Sequence, residues 1–192
     1  MADTTQFNIV VLISGNGSNL QALIDACASG TLPNTRISHV VSNRKAAYGL
    51  TRAANASIPT TYHNLVPYKK KHSPDDVPRA REEYDADLAQ LILSLSPRPD
   101  LIVCAGWMHI VTSAFLTPLS APPSNTQSTD SSDPIPIINL HPALPGEFAG
   151  ANAIERAWRA GREEGLKRTG VMVHEVIAEV DAGRRLLLGK WS

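Results

Sequence analysis

Asn8-Ile9-Val10-Val11-Leu12-Ile13-Ser14-Gly15-Asn16-Gly17-Ser18-Asn19-Leu20 is the stretch that decides the fold. Asn8 to Ile13 is a continuous apolar run with β-branched residues, short enough for a strand buried on both faces of a parallel sheet. It stops abruptly at Ser14 to Asn19. Leu20, Leu23, Ile24 and Cys27 then recur at helical spacing, with Ser18 or Asn19 suited to the N-cap and Gly30 just past the end. Strand, glycine-rich turn and helix in that order open a βαβ unit. Backbone N–H groups at such a turn have no intrahelical partners and lie at the positive end of the helix dipole, which suits a phosphate.

The turn excludes some ligands. It lacks the Gly-Lys-Ser/Thr of a nucleoside-triphosphate loop, and Leu20 stands where a dinucleotide fingerprint needs its third glycine. The next strand, Arg36 to Ser42, ends in Asn43-Arg44 with no acidic residue to take a ribose. Two readings stay open here: a tight structural turn, or a site for a monophosphate or similar anion.

Outward from this unit, Ala47 to Ala56 reads as a second helix with Tyr48, Leu50 and Ala53 inward, leading to a short strand at Pro59 to Tyr62. Lys69-Lys70-Lys71-His72 sits in a proline-containing stretch expected to be a solvated loop, with His63 and His72 at the surface. Tyr84, Leu88, Leu91, Ile92 and Leu95 mark the apolar face of a third helix, with Glu82, Glu83, Asp85 and Asp87 on its other faces. Leu101 to Gly106 is a second fully apolar strand, and Trp107-Met108-His109-Ile110-Val111 follows it. Ligands of doubly wound sheets bind outside the carboxyl ends of the strands, so these side chains either wall a pocket for a flat ring or pack under the next short helix, Ser113 to Leu119.

Residues 120–136 change character, being rich in Ser, Thr, Pro, Asn and Asp, and are expected to form a disordered surface insertion outside the core. Ile137-Ile138-Asn139-Leu140-His141-Pro142 then reads as a buried strand that puts Asn139 and His141 on one face of its carboxyl end. An imidazole beside a neutral amide suits transfer at a carbonyl carbon; the bland alternative is a pair of strand-end polar residues. Ala143 to Gly150 is expected to be a loop over that site. A helix is expected from Asn152 to Glu164 with Ile154, Ala157 and Trp158 inward. Gly170 to Val176 alternates as a strand with Met172, His174 and Val176 on one face. Asp181-Ala182-Gly183 follows, either an ordinary turn or a carboxylate that orients an imidazole. Leu186 to Leu188 is a last strand.

At 192 residues the chain is expected to be one domain, 1–192, carrying the insertion. Eighteen basic against eighteen acidic residues remove the electrostatic case for nucleic-acid or membrane-surface partners. Cys27 and Cys104 form no CxxC pair and read as small core residues of a reduced compartment, not as a zinc site. Met1 to Phe7 has no signal pattern and no apolar run approaches the ~20 residues that span a bilayer, so a soluble cytoplasmic protein is expected.

Taken together, Ile13 to Gln21, Ser42 to Arg44, Ala105 to Met108, Asn139 to Pro142, and Val173-His174 through Asp181-Ala182-Gly183 closely resemble the phosphoribosylglycinamide formyltransferase family, folate-dependent enzymes of purine synthesis. The resemblance runs from Asn8 to about Leu188. It implies an α/β, Rossmann-like formyltransferase fold with a mostly parallel central sheet and helices on both faces. It implies formyl transfer from 10-formyltetrahydrofolate to glycinamide ribonucleotide, with no metal. Gly15, Asn16, Gly17, Ser18 and Asn19 would hold the ribonucleotide phosphate. Asn139, His141 and Asp181 would be the catalytic trio, Met108, Ile110 and Val111 would line the folate pocket with the loop from Ile177 to Asp181, and Pro142 would touch the acceptor. His109 stands where the family carries an arginine. The family continues past the equivalent of Ser192 with a strand and a helix, so the C-terminal part is expected to be truncated. The alternatives are a formyltetrahydrofolate hydrolase, which usually carries a regulatory domain ahead of this core, and a catalytically dead ligand-binding homologue. A methionyl-tRNA formyltransferase fits less well, since neither net positive charge nor an RNA-binding domain is present.

Overall fold

The computed structural model describes residues 6–120, 133–150 and 152–191. The chain forms two compact units, 1–136 and 137–192.

The first unit is built on a parallel sheet. Its strands are β1 (Phe7–Ile13), β2 (Thr35–Ser42), β3 (Thr60–Tyr62) and β4 (Leu101–Cys104), in the spatial order β3-β2-β1-β4. Successive residues of a strand point to opposite faces, yet Val10, Val11, Leu12 and Ile13 are all buried, so both faces of β1 are covered. The helices that cover the sheet fall into two sets. α1 (Ser18–Ala28) and α2 (Tyr48–Asn55) pack on each other and on β2. α3 (Val66–Lys71) and α5 (Ser113–Ser120) both pack on α4 (Val77–Leu93), whose Tyr84, Leu88 and Ile92 are fully buried. Full burial of such side chains stabilises by ~1.5 to 3 kcal/mol each. The chain leaves β1 for β2 and β3 on one side and returns to β4 on the other. The order therefore reverses between β1 and β4, and a doubly wound sheet opens its ligand crevice at such a reversal.

The second unit is antiparallel, with β5 (Ile137–His141) paired to β6 (Thr169–Glu175) and β6 to β7 (Arg185–Trp191). α6 (Ala153–Glu163) lies between β5 and β6 in the chain. The buried face of β6 carries Gly170, Met172 and His174, as its alternation predicts. Gly170 can carry no side chain, because a Cβ there would overlap the Gly189 carbonyl and Leu144 Cδ2. Among the described residues no helix is long and apolar enough to cross a membrane.

Several local expectations are corrected. The lysine run is not a loop: Asn64 Oδ1 accepts from Val66 N (3.0 Å), Pro67 occupies the first turn, and α3 results. His63 and His72 are not plain surface residues. The His63 ring stacks on Tyr84 at 4.3 Å, and His72 Nε2 lies 3.1 Å from Glu83 Oε2, which holds the Glu83 carboxyl below its ordinary range. Tyr48 is 53 % exposed because Gly49 and Ala53 supply the inward face of α2, leaving its ring under the Arg52 guanidinium at 4.9 Å. Ile154 and Trp158 are 69 % and 61 % exposed, and Ala153 and Ala160 are the buried face of α6. Asp85 is fully buried, not on an outer face of its helix. Most of the expected insertion lies outside the described residues. Its end does not: Ile135 is buried, its N–H donates to Leu119 O (2.9 Å), and Pro136 O accepts from Ile102 N (3.0 Å).

The two thiols differ. Burial pushes Cys104 up to about 12 and raises half-buried Cys27 by less. The thiolate is the reactive species. In the native protein at neutral pH an alkylating reagent is therefore expected to label Cys27 slowly and Cys104 only after denaturation, as read by peptide mass spectrometry; native labelling of Cys104 contradicts this packing.

Candidate active site

In the first unit the turn after β1 meets the loop after β4. Ser14 N donates to Gly106 O (3.1 Å), and Ser14 Oγ accepts from Met108 N (2.7 Å), so one buried serine ties the two together. The expected side-chain N-cap at Ser18 or Asn19 is not used. Gly17 is the N-cap, at φ 75°, and makes no side-chain bond. Only glycine fits, because a Cβ at Gly17 would lie 2.6 Å from Gly49 Cα. Gly15, Asn16 and Ser18 are exposed, with Gly17 and Asn19 half-buried, so the α1 start is open to an anion. Sequence reasoning passed over Arg52. Its Nε and Nη2 donate to the carbonyl and Oδ1 of Asn16 (2.9 and 3.1 Å) and its Nη1 to Gln21 Oε1 (3.2 Å), which stiffens the turn and adds positive charge beside it. Beyond β4, Met108 and Ile110 are 59 % and 53 % exposed, and Val111 is half-buried. They are not a core cluster.

In the second unit one carboxylate gathers the polar residues. Asp181 Oδ2 lies 3.4 Å from His141 Nδ1, and its Oδ1 accepts from Asn139 Nδ2 at 3.4 Å. The structure thus brings Asn139, His141 and Asp181 together, one strand residue on each carboxylate oxygen. Gly150 N donates to Asp181 Oδ2 (2.9 Å), fixing the carboxylate from the loop that follows Pro142. Asp181 itself is at φ 54°, a left-handed conformation that aspartate tolerates better than most residues. The loop bearing it is closed by Glu175 N donating to Arg184 O (2.9 Å), and a Cβ on Gly183 would overlap the Glu175 carbonyl oxygen.

His141 is buried, and both of its nitrogens face oxygen acceptors: Nδ1 faces Asp181, and Nε2 lies 3.4 Å from Glu147 O. A neutral imidazole donates to one of these two acceptors and an imidazolium to both. A second histidine, His174, was legible only as a member of the inward face of β6. It is the cross-strand partner of Asn139 in the β5–β6 ladder, and its Nε2 lies 3.2 Å from Asp181 Oδ1 and 3.2 Å from Asn139 Nδ2. Its Nδ1 donates to Glu175 O (2.8 Å), which orients the ring. A cavity of about 480 Å³ borders the cluster, lined in part by Pro145, Glu147, Met172, Val180 and Asp181. Pro142, half-buried, directly follows His141 at the end of β5.

A parallel sheet with an anion-ready turn at its reversal, and a carboxylate holding an imidazole and an amide, define an α/β group-transfer enzyme. The formyl transferase family model matches residues 7–191, and the chain belongs to that family. A Schizosaccharomyces pombe relative named phosphoribosylglycinamide formyltransferase is 50 % identical over 182 residues, covering 94 % of this chain and 80 % of that one. The Saccharomyces cerevisiae protein of the same name is 48 % identical over 188 residues, covering 95 % and 81 %. The crystal structure of glycinamide ribonucleotide transformylase 1 from Symbiobacterium toebii superposes with a TM-score of 0.74 at 33 % identity, over 97 % of this chain and 74 % of that one. The fold is the Rossmann-like formyltransferase fold expected from the sequence.

Proposed function

We propose that the chain transfers the formyl group of 10-formyltetrahydrofolate to the amine of glycinamide ribonucleotide, a step of purine biosynthesis. The observation that carries this reading is the Asp181 carboxylate joined at its two oxygens to His141 and Asn139, in a chain half identical to a relative of that name. The start of α1, from Gly15 to Asn19, takes the ribonucleotide phosphate. Met108, Ile110 and Val111 line the folate ring, and Pro142 touches the acceptor.

The acceptor amine attacks the formyl carbon directly. A C–N bond forms, the carbonyl π pair moves onto oxygen, and His141 Nε2 donates to that oxyanion, exchanging its long contact to the Glu147 carbonyl for a charge-assisted bond. Asn139 lies on the same strand face and adds its amide. Asp181 balances the imidazolium and takes the proton that the attacking amine loses, directly or through one water; collapse of the adduct breaks the bond to the folate nitrogen, which leaves with a proton. Both units then serve one formyltransferase domain, working in the cytoplasm on small-molecule substrates with no nucleic-acid or membrane partner and no metal.

Purified protein given the formyl donor, with and without the ribonucleotide, tests this. Loss of donor that depends on the acceptor is expected. Acceptor-independent loss identifies a hydrolase, and no loss in either arm overturns the transfer reading.

A further inference from the structure

Asp85 is fully buried on α4, a long way in sequence from the catalytic cluster, and among the described residues its polar contacts go to one loop. Its Oδ1 lies 2.7 Å from His109 Nε2, and its Oδ2 accepts from the backbone N–H of Thr112 at 2.6 Å. One helical turn earlier on the same face, Arg81 Nη2 donates to Ile110 O at 2.6 Å. The His109 ring is held edge-on against Tyr84 at 5.0 Å and Trp107 at 6.2 Å. The loop from Trp107 to Thr112 has no ladder or helix of its own, and it turns Met108 and Ile110 outward. A segment that presents apolar side chains to solvent cannot be fixed by burying them. A buried carboxylate without partners is costly, so Asp85 is tolerated only through the groups that it orders.

We propose that Asp85, assisted by Arg81, is a positioning residue for the formyl donor: it clamps the loop from behind so that Met108 and Ile110 form a preset wall for the folate ring. The inference rests on the proposal that this loop receives the folate. Preorganisation of that kind acts on donor binding and leaves acceptor binding and chemistry alone.

The test compares D85A, D85N and R81A in the full chain, varying 10-formyltetrahydrofolate and glycinamide ribonucleotide separately and recording a thermal melt of each variant. D85A is expected to raise KM for the donor about tenfold or more, with the ribonucleotide KM within about twofold and kcat within about threefold. D85N keeps an acceptor for Thr112 N–H and a donor for the His109 ring, so it should restore the donor KM to within about threefold of wild type. R81A, at a half-buried site where folding is little threatened, should raise the donor KM about threefold, and it decides the matter with D85N if D85A does not fold. An unchanged donor KM in folded D85A or R81A, an equal rise in both KM values, or no rescue by D85N overturns the clamp. A wild-type protein that does not consume the donor refutes the transfer reading instead, which keeps the two failures apart.

Discussion

His141→Ala is expected to lower formyl transfer by ~10² or more, the usual range for removing an acid–base or oxyanion-stabilising group. The loss should fall on kcat more than on either KM, because the imidazole is held by Asp181 Oδ2 and Glu147 O and matters most when charge develops on the formyl oxygen. His141 is also buried, so removing its ring deprives Asp181 of one partner and leaves a gap in the interior. A stability loss of about 1 to 3 kcal/mol is expected from the unpaired polar groups, with far-UV circular dichroism unchanged. Single-turnover measurements separate the two effects, since a folded variant with normal donor binding but slow chemistry is the predicted outcome. Near-normal transfer by this variant removes His141 from the mechanism.

The parts of the fold legible in the sequence were those in which each residue is constrained by its neighbours in the chain. The run Asn8 to Ile13 ends on a glycine turn because a strand buried on both faces must be apolar throughout and must then change direction. The runs Leu101 to Cys104 and Ile137 to His141 gave themselves away similarly, by burial. The pairing of Asn139 with His141 on one face followed from the period of a strand, and their joint contact with Asp181 agrees with it.

What stayed hidden depends on partners distant in sequence. Asp85 looks like one more carboxylate on an acidic helix until His109 and Thr112 arrive to satisfy it. His174 gains its place from the register of β6 against β5, which sets it opposite Asn139, and register cannot be read from one strand. Tyr48, Ile154 and Trp158 misled because helical periodicity treats every large apolar residue as inward. Glycine and alanine supply the buried faces of α2 and α6, and Arg52 and Arg162 lie over the exposed rings of Tyr48 and Trp158. The N-cap misled for a related reason. The close approach of Gly17 to Gly49 leaves no space for a side chain there, and the side-chain oxygens of Ser18 and Asn19 were not needed.

Asp181→Asn should cost ~10² to 10⁴ in turnover while preserving the fold, and the reason lies in how fully the amide can replace the carboxylate's contacts. Asparagine shares aspartate's tolerance of the left-handed conformation found at φ 54°. Its oxygen can accept from Gly150 N–H and His141, as Asp181 Oδ2 does now. Its nitrogen takes the place of Oδ1, within reach of His174 Nε2 but unable to accept from Asn139 Nδ2. The variant therefore keeps the Gly150 and His141 contacts, and loses the Asn139 contact together with the negative charge. Asp181→Ala loses the network as well, so it should also melt earlier, by about 1 to 3 kcal/mol for the unmade bonds. If the charge balances the His141 imidazolium and drives removal of the amine proton, both variants fail in chemistry and the alanine variant is destabilised more than the asparagine one. An asparagine variant as active as wild type assigns Asp181 to holding the Gly150 and Gly183 turns in place, and leaves His141 to act without a carboxylate.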